Sequence, residues 1–198
     1  MSEVARRAVH VSGTVFPVAY LAGLISYNQL RWLYIAGSVV ALGLEILRLR
    51  IGLDWRIYEA LTRTYEQSNL AGYALYVFSS TAVVCVFAPE IAVPAVLMLT
   101  IADPISGLLG SSELRARKKV SVLSITFVVC FLLAIPFVPP VPAALGAAAA
   151  TLADGMKPVV WGYVIDDNLS IPIVAALAIA VGLWLSGGVF PFGGGWLV

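Results

Sequence analysis

Long apolar stretches separated by short polar ones dominate the pattern of the chain. They fall at about residues 8 to 26, 30 to 49, 69 to 88, 91 to 110, 120 to 138, 141 to 160 and 171 to 190. Each approaches the roughly 20 residues that a helix needs to cross the hydrocarbon of a bilayer. The pattern therefore predicts an all-α bundle of seven transmembrane helices, one domain over residues 1–198 with no room for a separate soluble unit. Between the second and third runs, Leu53 to Ser68 interleaves Trp55, Ile57, Tyr58, Leu61 and Tyr65 with Asp54, Arg56, Glu59, Arg63 and Glu66. That mixture predicts an amphipathic helix lying in the membrane interface. Ala147 to Ala150 form a patch of small side chains that lets helices pack closely.

Composition strengthens this picture. Of the 198 residues, 61% are hydrophobic and only 12% charged, and the mean hydropathy is +0.96, which places the chain in lipid as an integral, multi-pass membrane protein. A net charge of +1 with only short basic clusters argues against a nucleic-acid partner. Cys85 and Cys130 lie in separate apolar runs without metal-binding spacing, which excludes a disulfide framework or a zinc site as the organising feature. Arg6 and Arg7 precede the first apolar run as they would in a signal peptide, but His10 and Pro17 interrupt it and more spans follow, so it reads as a retained first helix.

Charge sets the orientation. With the N-terminus in the cytoplasm, Arg6, Arg7, Arg48, Arg50, Arg56, Arg63, Arg115, Arg117, Lys118, Lys119 and Lys157 all fall on the cytoplasmic side, and Arg31 is the exception. The acids follow the bases: Glu45, Asp54, Glu59, Glu66, Asp103, Glu113, Asp154, Asp166 and Asp167 share that face, whereas Glu90 does not. The positive-inside rule does not require this, so the cytoplasmic face is where chemistry is expected.

Several polar groups there carry candidate chemistry. Helical spacing can bring Arg6 or Arg7, His10 and Gly13 onto one face, with the arginines serving either a ligand or the lipid headgroups. Glu45 and Arg48 form an i,i+3 pair that either stabilises the helix end or positions a phosphate-binding cation. Asp103 stands in an apolar run directly before Pro104, which frees the carbonyl of Thr100. Ser106, Gly107 and Gly110 follow at three, four and seven residues, setting a carboxylate beside bare backbone, as a metal-bound polyphosphate requires. Arg115, Arg117, Lys118 and Lys119 can neutralise phosphate, although the positive-inside rule also produces such clusters. Near the end, Asp166, Asp167 and Asn168 supply hard oxygen ligands suited to magnesium, or cap the seventh helix. Together these residues point to Mg²⁺ and a nucleotide phosphate beside the lipid, hence phosphoryl or nucleotidyl transfer.

The order of motifs, RRxxHxxG near the start, ExxR at the end of the second run, DxxSGxxG, a basic cluster with KxS, and DDNLSIP, resembles the dolichol kinase and phytol kinase family of CTP-dependent polyprenol kinases, which are distantly related to phosphatidate cytidylyltransferases. The resemblance runs from about Arg6 to Pro172, and DDNLSIP is its most specific element. It implies transfer of the γ-phosphate of CTP to the hydroxyl of an isoprenoid alcohol, with Asp103, Asp166, Asp167, Asn168 and Lys119 in matching positions. The chain departs from the family at Lys119-Val120-Ser121-Val122-Leu123, which lacks the acid and glycine of a KSxEG-like stretch, and at Asp154, where the family has glutamate. The resulting expectation gives Asp103, Asp167 and His10 to catalysis and Asp103, Asp166 and Asp167 to Mg²⁺. It gives Arg7, Arg117, Lys118, Lys119, Ser106, Gly107, Gly110 and Asn168 to the nucleotide. A CDP-lipid-forming cytidylyltransferase, a small transporter and an inactive scaffold are the alternatives, and a homodimer is compatible with all of them.

Overall fold

The computed structural model describes residues 10–52, 69–110, 118–156, 159–160 and 163–187. Among them are seven helices, one for each apolar run: α1 (Val15–Leu21), α2 (Tyr27–Ile46, prolonged by a π-turn over Leu47–Ile51), α3 (Gly72–Val86), α4 (Pro89–Leu97, a π segment Met98–Ala102, then Asp103–Leu109), α5 (Val120–Ala134), α6 (Pro140–Gly155) and α7 (Asp167–Leu185). Between α6 and α7 a two-residue antiparallel ladder pairs β1 (Val159–Val160) with β2 (Tyr163–Val164). The interfacial helix expected over Leu53 to Ser68 lies outside the described residues.

Among the described residues three helices are long and apolar enough to cross a membrane: Tyr27–Arg50, Pro89–Leu109 and Asp167–Leu185. The boundaries differ from the apolar runs where backbone chemistry intervenes. The first run was expected across 8 to 26, but a turn at Gly13 and Thr14 separates His10 from α1, and Gly23, at φ 70°, ends it. The sixth run was expected to reach 160, but α6 stops at Gly155. The seventh begins at Asp167 rather than 171, because Asp166 caps it by accepting from the Asn168 backbone N–H at 2.9 Å.

α2 holds α3 at both ends. At one end, Glu45, 1% exposed, accepts from the backbone N–H of Ala71 (3.2 Å), immediately before α3, and from the Tyr73 hydroxyl (2.5 Å). Arg48 grips the same carboxylate through two nitrogens at 3.0 and 2.6 Å and donates to the Asn69 carbonyl at 2.6 Å. At the opposite end, Arg31 Nε and the Tyr27 hydroxyl both donate to the Val84 carbonyl, at 3.2 and 3.0 Å, and Tyr27 also reaches the Phe87 carbonyl at 2.8 Å. The Arg31 guanidinium lies 4.7 Å from the centre of the Tyr27 ring. An acid thus sits at the N-terminus of α3 and a base at its C-terminus, complementing its dipole and satisfying end groups that an apolar setting leaves without partners. Midway, the Thr81 hydroxyl donates to a main-chain carbonyl and pairs with Ser38 at 2.7 Å. Arg31, the one cation against the charge asymmetry, is therefore placed by structural need.

α4 runs through the centre, with Ile91 to Thr100 entirely buried. α6 and α7 pack along each other through glycines: a Cβ at Gly146 would fall 2.4 Å from Ile179, and one at Gly182 only 2.7 Å from the Pro142 Cα. The small residues Ala143, Ala147 and Ala150 are buried on the same helix, as the alanine patch predicts.

Gly182→Val cannot be accommodated by side-chain motion, because the obstacle is backbone; it is expected to lower stability by about 1–3 kcal/mol, read as a lower thermal midpoint in detergent. Arg31→Met, which strips a donor from a helix end, is expected to cost about 1–3 kcal/mol by the same measurement. An unchanged midpoint in Arg31→Met would mean that Tyr27 alone satisfies those carbonyls.

Candidate functional site

Prolines shape the backbone that carries the acids. Pro104 has no N–H, and just before it the Asp103 N–H bonds to the carbonyl of Met98, five residues back. The resulting π segment inserts a residue into α4 and re-aims Asp103 relative to the helix below. In α7, Pro172 leaves the Asn168 carbonyl without its helical donor, and the Ser79 hydroxyl of α3 supplies one at 2.6 Å. That bond ties the Asp166-Asp167-Asn168 turn to α3.

Around this turn three carboxylates converge. Asp103 from α4, Asp154 from the last turn of α6 and Asp167 from the first turn of α7 each present an oxygen within 4.8 Å of the others. Asp154 and Asp167 are buried and Asp103 is partly buried. At such separations, repulsion between two carboxylates is on the order of 3 kcal/mol per pair at the effective dielectric of a protein interior. Lys118 offsets one charge: its Nζ lies 2.5 Å from Asp154 Oδ1 and donates to the Ser106 Oγ at 2.8 Å, while Ser106 donates to Asp154 Oδ2 at 2.5 Å. His10, also buried, brings Nδ1 to 3.7 Å from Asp103 Oδ2, too far for a hydrogen bond. Its ring stacks on Tyr76, centroids 5.4 Å apart and planes 21° from parallel. Gly13 makes room for that tyrosine, since a Cβ there would overlap the Tyr76 hydroxyl.

The expected residues are thus partly brought together. His10, Asp103, Ser106, Lys118 and Asp167 surround one point, and Asn168 flanks it in the first turn of α7. Asp166 serves as N-cap, its Oδ1 accepting from both the backbone and the side-chain nitrogen of Asn168, at 2.9 and 2.6 Å. Gly107 and Gly110 close the end of α4, where Gly110 N–H bonds to the Ser106 carbonyl at 2.9 Å. Lys119 is exposed at the start of α5. Arg7 and Arg117 lie outside the described residues. Sequence reasoning left two contributors out of the site. Asp154 was legible as a lone acid in an alanine-rich run, but nothing local said that it would meet Asp103. Tyr76 sits in a helix without charged residues and gave no signal.

These residues fit a hard divalent cation. Ligand oxygens around Mg²⁺ stand roughly 3–4 Å apart, close to the observed spread, and every ligand is an oxygen. The Asn168 Oδ1 is buried with no hydrogen-bond partner among the described residues, a bare acceptor beside the acids and suited to a cation or its water.

The chain matches no family model, and neither a curated protein nor a solved structure proves similar to it.

Millimolar Mg²⁺ or Mn²⁺ is expected to raise the thermal midpoint of the purified protein, by about 2.7 kcal/mol of stability at a hundred times Kd. Asp103→Asn and Asp167→Asn are expected to remove that increment, and Asp103→Asn to raise stability without metal, since it relieves repulsion from the other two acids. A metal-induced increment that persists in both variants would place the cation elsewhere.

Proposed function

We propose that the chain is an integral membrane kinase that transfers the γ-phosphate of CTP to the hydroxyl of a polyprenol-type alcohol, with Mg²⁺ held at the cytoplasmic face. The observation that carries this reading is the convergence of Asp103, Asp154 and Asp167 beside His10, with Lys118 paired to Asp154. The motif order adds to it: DDNLSIP contributes Asp167 and Asn168, and Asp154 stands where the family has a glutamate. Its carboxylate, shorter by one methylene, joins the cluster all the same.

Membrane residence is supported by the inside-out distribution of polarity. Val39, Val40, Val128, Leu132, Val181 and Leu185 face outward, whereas Arg31, Glu45, Asp154 and Asp167 are buried. With the N-terminus in the cytoplasm and seven crossings, the segment leading into α1, the end of α4, the segment leading into α5, the end of α6 and the start of α7 all meet at one face. Those are the segments bearing His10, Asp103, Lys118, Asp154 and Asp167. A transport pathway would instead place such acids at mid-membrane.

Asp103, Asp154 and Asp167 would hold Mg²⁺, with Asn168 beside them. Bound there, the ion supplies charge neutralisation and alignment for the nucleotide's phosphates. Lys118 orients Asp154 and Ser106, and Lys119, Arg7 and Arg117 are the cations available to the remaining phosphate charge. The alcohol oxygen attacks the γ-phosphorus, the bond to the β,γ-bridging oxygen breaks, and CDP leaves with that electron pair. His10 takes the alcohol proton, a modest demand in a loose transition state; the products are CDP and a lipid monophosphate.

Purified protein given Mg²⁺, CTP and a polyprenol is expected to release CDP and form the lipid monophosphate. Pyrophosphate with a CDP-lipid, formed from a lipid phosphate, would replace the kinase by a cytidylyltransferase. Asp103→Asn is expected to abolish turnover with an unchanged circular dichroism spectrum, and full activity in that variant would overturn the site.

A further inference from the structure

The segment that carries His10 is fastened to the rest of the molecule along one narrow stripe. From His10 to Leu24 the buried residues are His10, Gly13 and Pro17, at the three- and four-residue spacing of one helix face, and the first two meet the same side chain. The Tyr76 ring lies against the His10 imidazole, centroids 5.4 Å apart and planes 21° from parallel. Its hydroxyl stands where a Cβ at Gly13 would be, and the ring carbon that bears it would lie 2.8 Å from that Cβ. Tyr76 is only 9% exposed, and its hydroxyl has no hydrogen-bond partner among the described residues, so it meets Gly13 by shape. Asp103, 3.7 Å from His10 Nδ1, is too far to fix the imidazole plane by a hydrogen bond. The stack sets that plane.

We infer that Tyr76 is the positioning residue for His10: its ring orients the imidazole, and its hydroxyl, wedged against Gly13, holds the segment where His10 meets Asp103. The inference rests on the reading of His10 as the proton acceptor in phosphoryl transfer. α3 can serve as the reference because its next turn is tied to the acids, the Ser79 hydroxyl bonding the carbonyl of Asn168, the residue after Asp167, at 2.6 Å. A tyrosine that served only the core would gain nothing from a buried hydroxyl without a partner, and would need no glycine opposite it. A reacting group displaced by about 1 Å can lose a hundredfold in rate, and one methyl at Gly13 suffices to unseat the wedge.

His10 is the only histidine of the 198 residues, so the full chain labelled at histidine gives NMR signals that report this contact without an assay of turnover. The Tyr76 ring current is expected to displace the His10 signals, and Mn²⁺ at the acids to broaden them. Gly13→Ala and Tyr76→Leu are each expected to move the signals and to weaken the broadening. Tyr76→Phe added to Gly13→Ala removes the obstructing oxygen, and is expected to return both toward those of the unaltered chain. In turnover, Gly13→Ala is expected to lower kcat by up to about a hundredfold with KM for CTP unchanged, and the added Tyr76→Phe to recover most of that loss. Unmoved signals in Gly13→Ala and Tyr76→Leu, a double variant no better than Gly13→Ala, or an undiminished kcat where the signals have moved would each overturn the inference. Recovery of the signals in the double variant of a chain that forms no CDP would leave Tyr76 holding His10 and remove the kinase reading.

Discussion

The backbone groups at the ends of α3 need partners that an apolar medium does not supply, and the rest of the structure depends on how α2 provides them. Glu45 and Arg31 lie fourteen residues apart, about 21 Å along the helix, which matches the distance between Ala71 and Val84 in the antiparallel α3. A one-turn slip of either helix would leave a buried ion without its partner and a helix end without its cap, so the register is fixed at both ends. The two ions do on the scale of a helix pair what a capping residue does within one helix.

Fixing α3 fixes the site. Tyr76 presents the ring on which His10 stacks, and Ser79, one turn further on, holds the carbonyl that Pro172 leaves open beside Asn168. The histidine from the start of the chain and the acids near its end are therefore referred to the same helix. A comparable logic places Asp103: the proline that follows it goes with a wide turn, and that turn points the carboxylate at the ends of α6 and α7. Backbone irregularities at Pro104 and Pro172, weaknesses in an isolated helix, are here the means by which side chains from four helices meet.

The cluster itself is an unfavourable arrangement of like charge that folding nonetheless assembles. Lys118 and Ser106 stabilise Asp154, while Asp103 has His10 at 3.7 Å. Structural ion pairs in this protein look different: Glu45 is saturated by Arg48, Tyr73 and Ala71. A saturated acid at a helix end thus stands in the same chain as three acids that share one point at the convergence of three helices.

Apolar runs alone determined the number of helices and their order, because a continuous hydrophobic stretch of that length has little alternative to a helix buried among others or in lipid. Residue type alone also singled out Asp103, His10 and the Asp166-Asp167-Asn168 triplet, since charge in such runs is costly and needs a reason. Only the tertiary structure decided which of these act together. It drew Asp154 into the cluster and left Asp166 as a cap, a distinction between adjacent acids that depends on where the first turn of α7 begins. It also turned Arg31 and Glu45 from isolated anomalies into the two ends of one clamp. Spacing along the chain determines which residues share a helix face, but contact across forty or more residues is set by helix packing, which glycines at Gly13, Gly146 and Gly182 adjust to within the width of a methyl group.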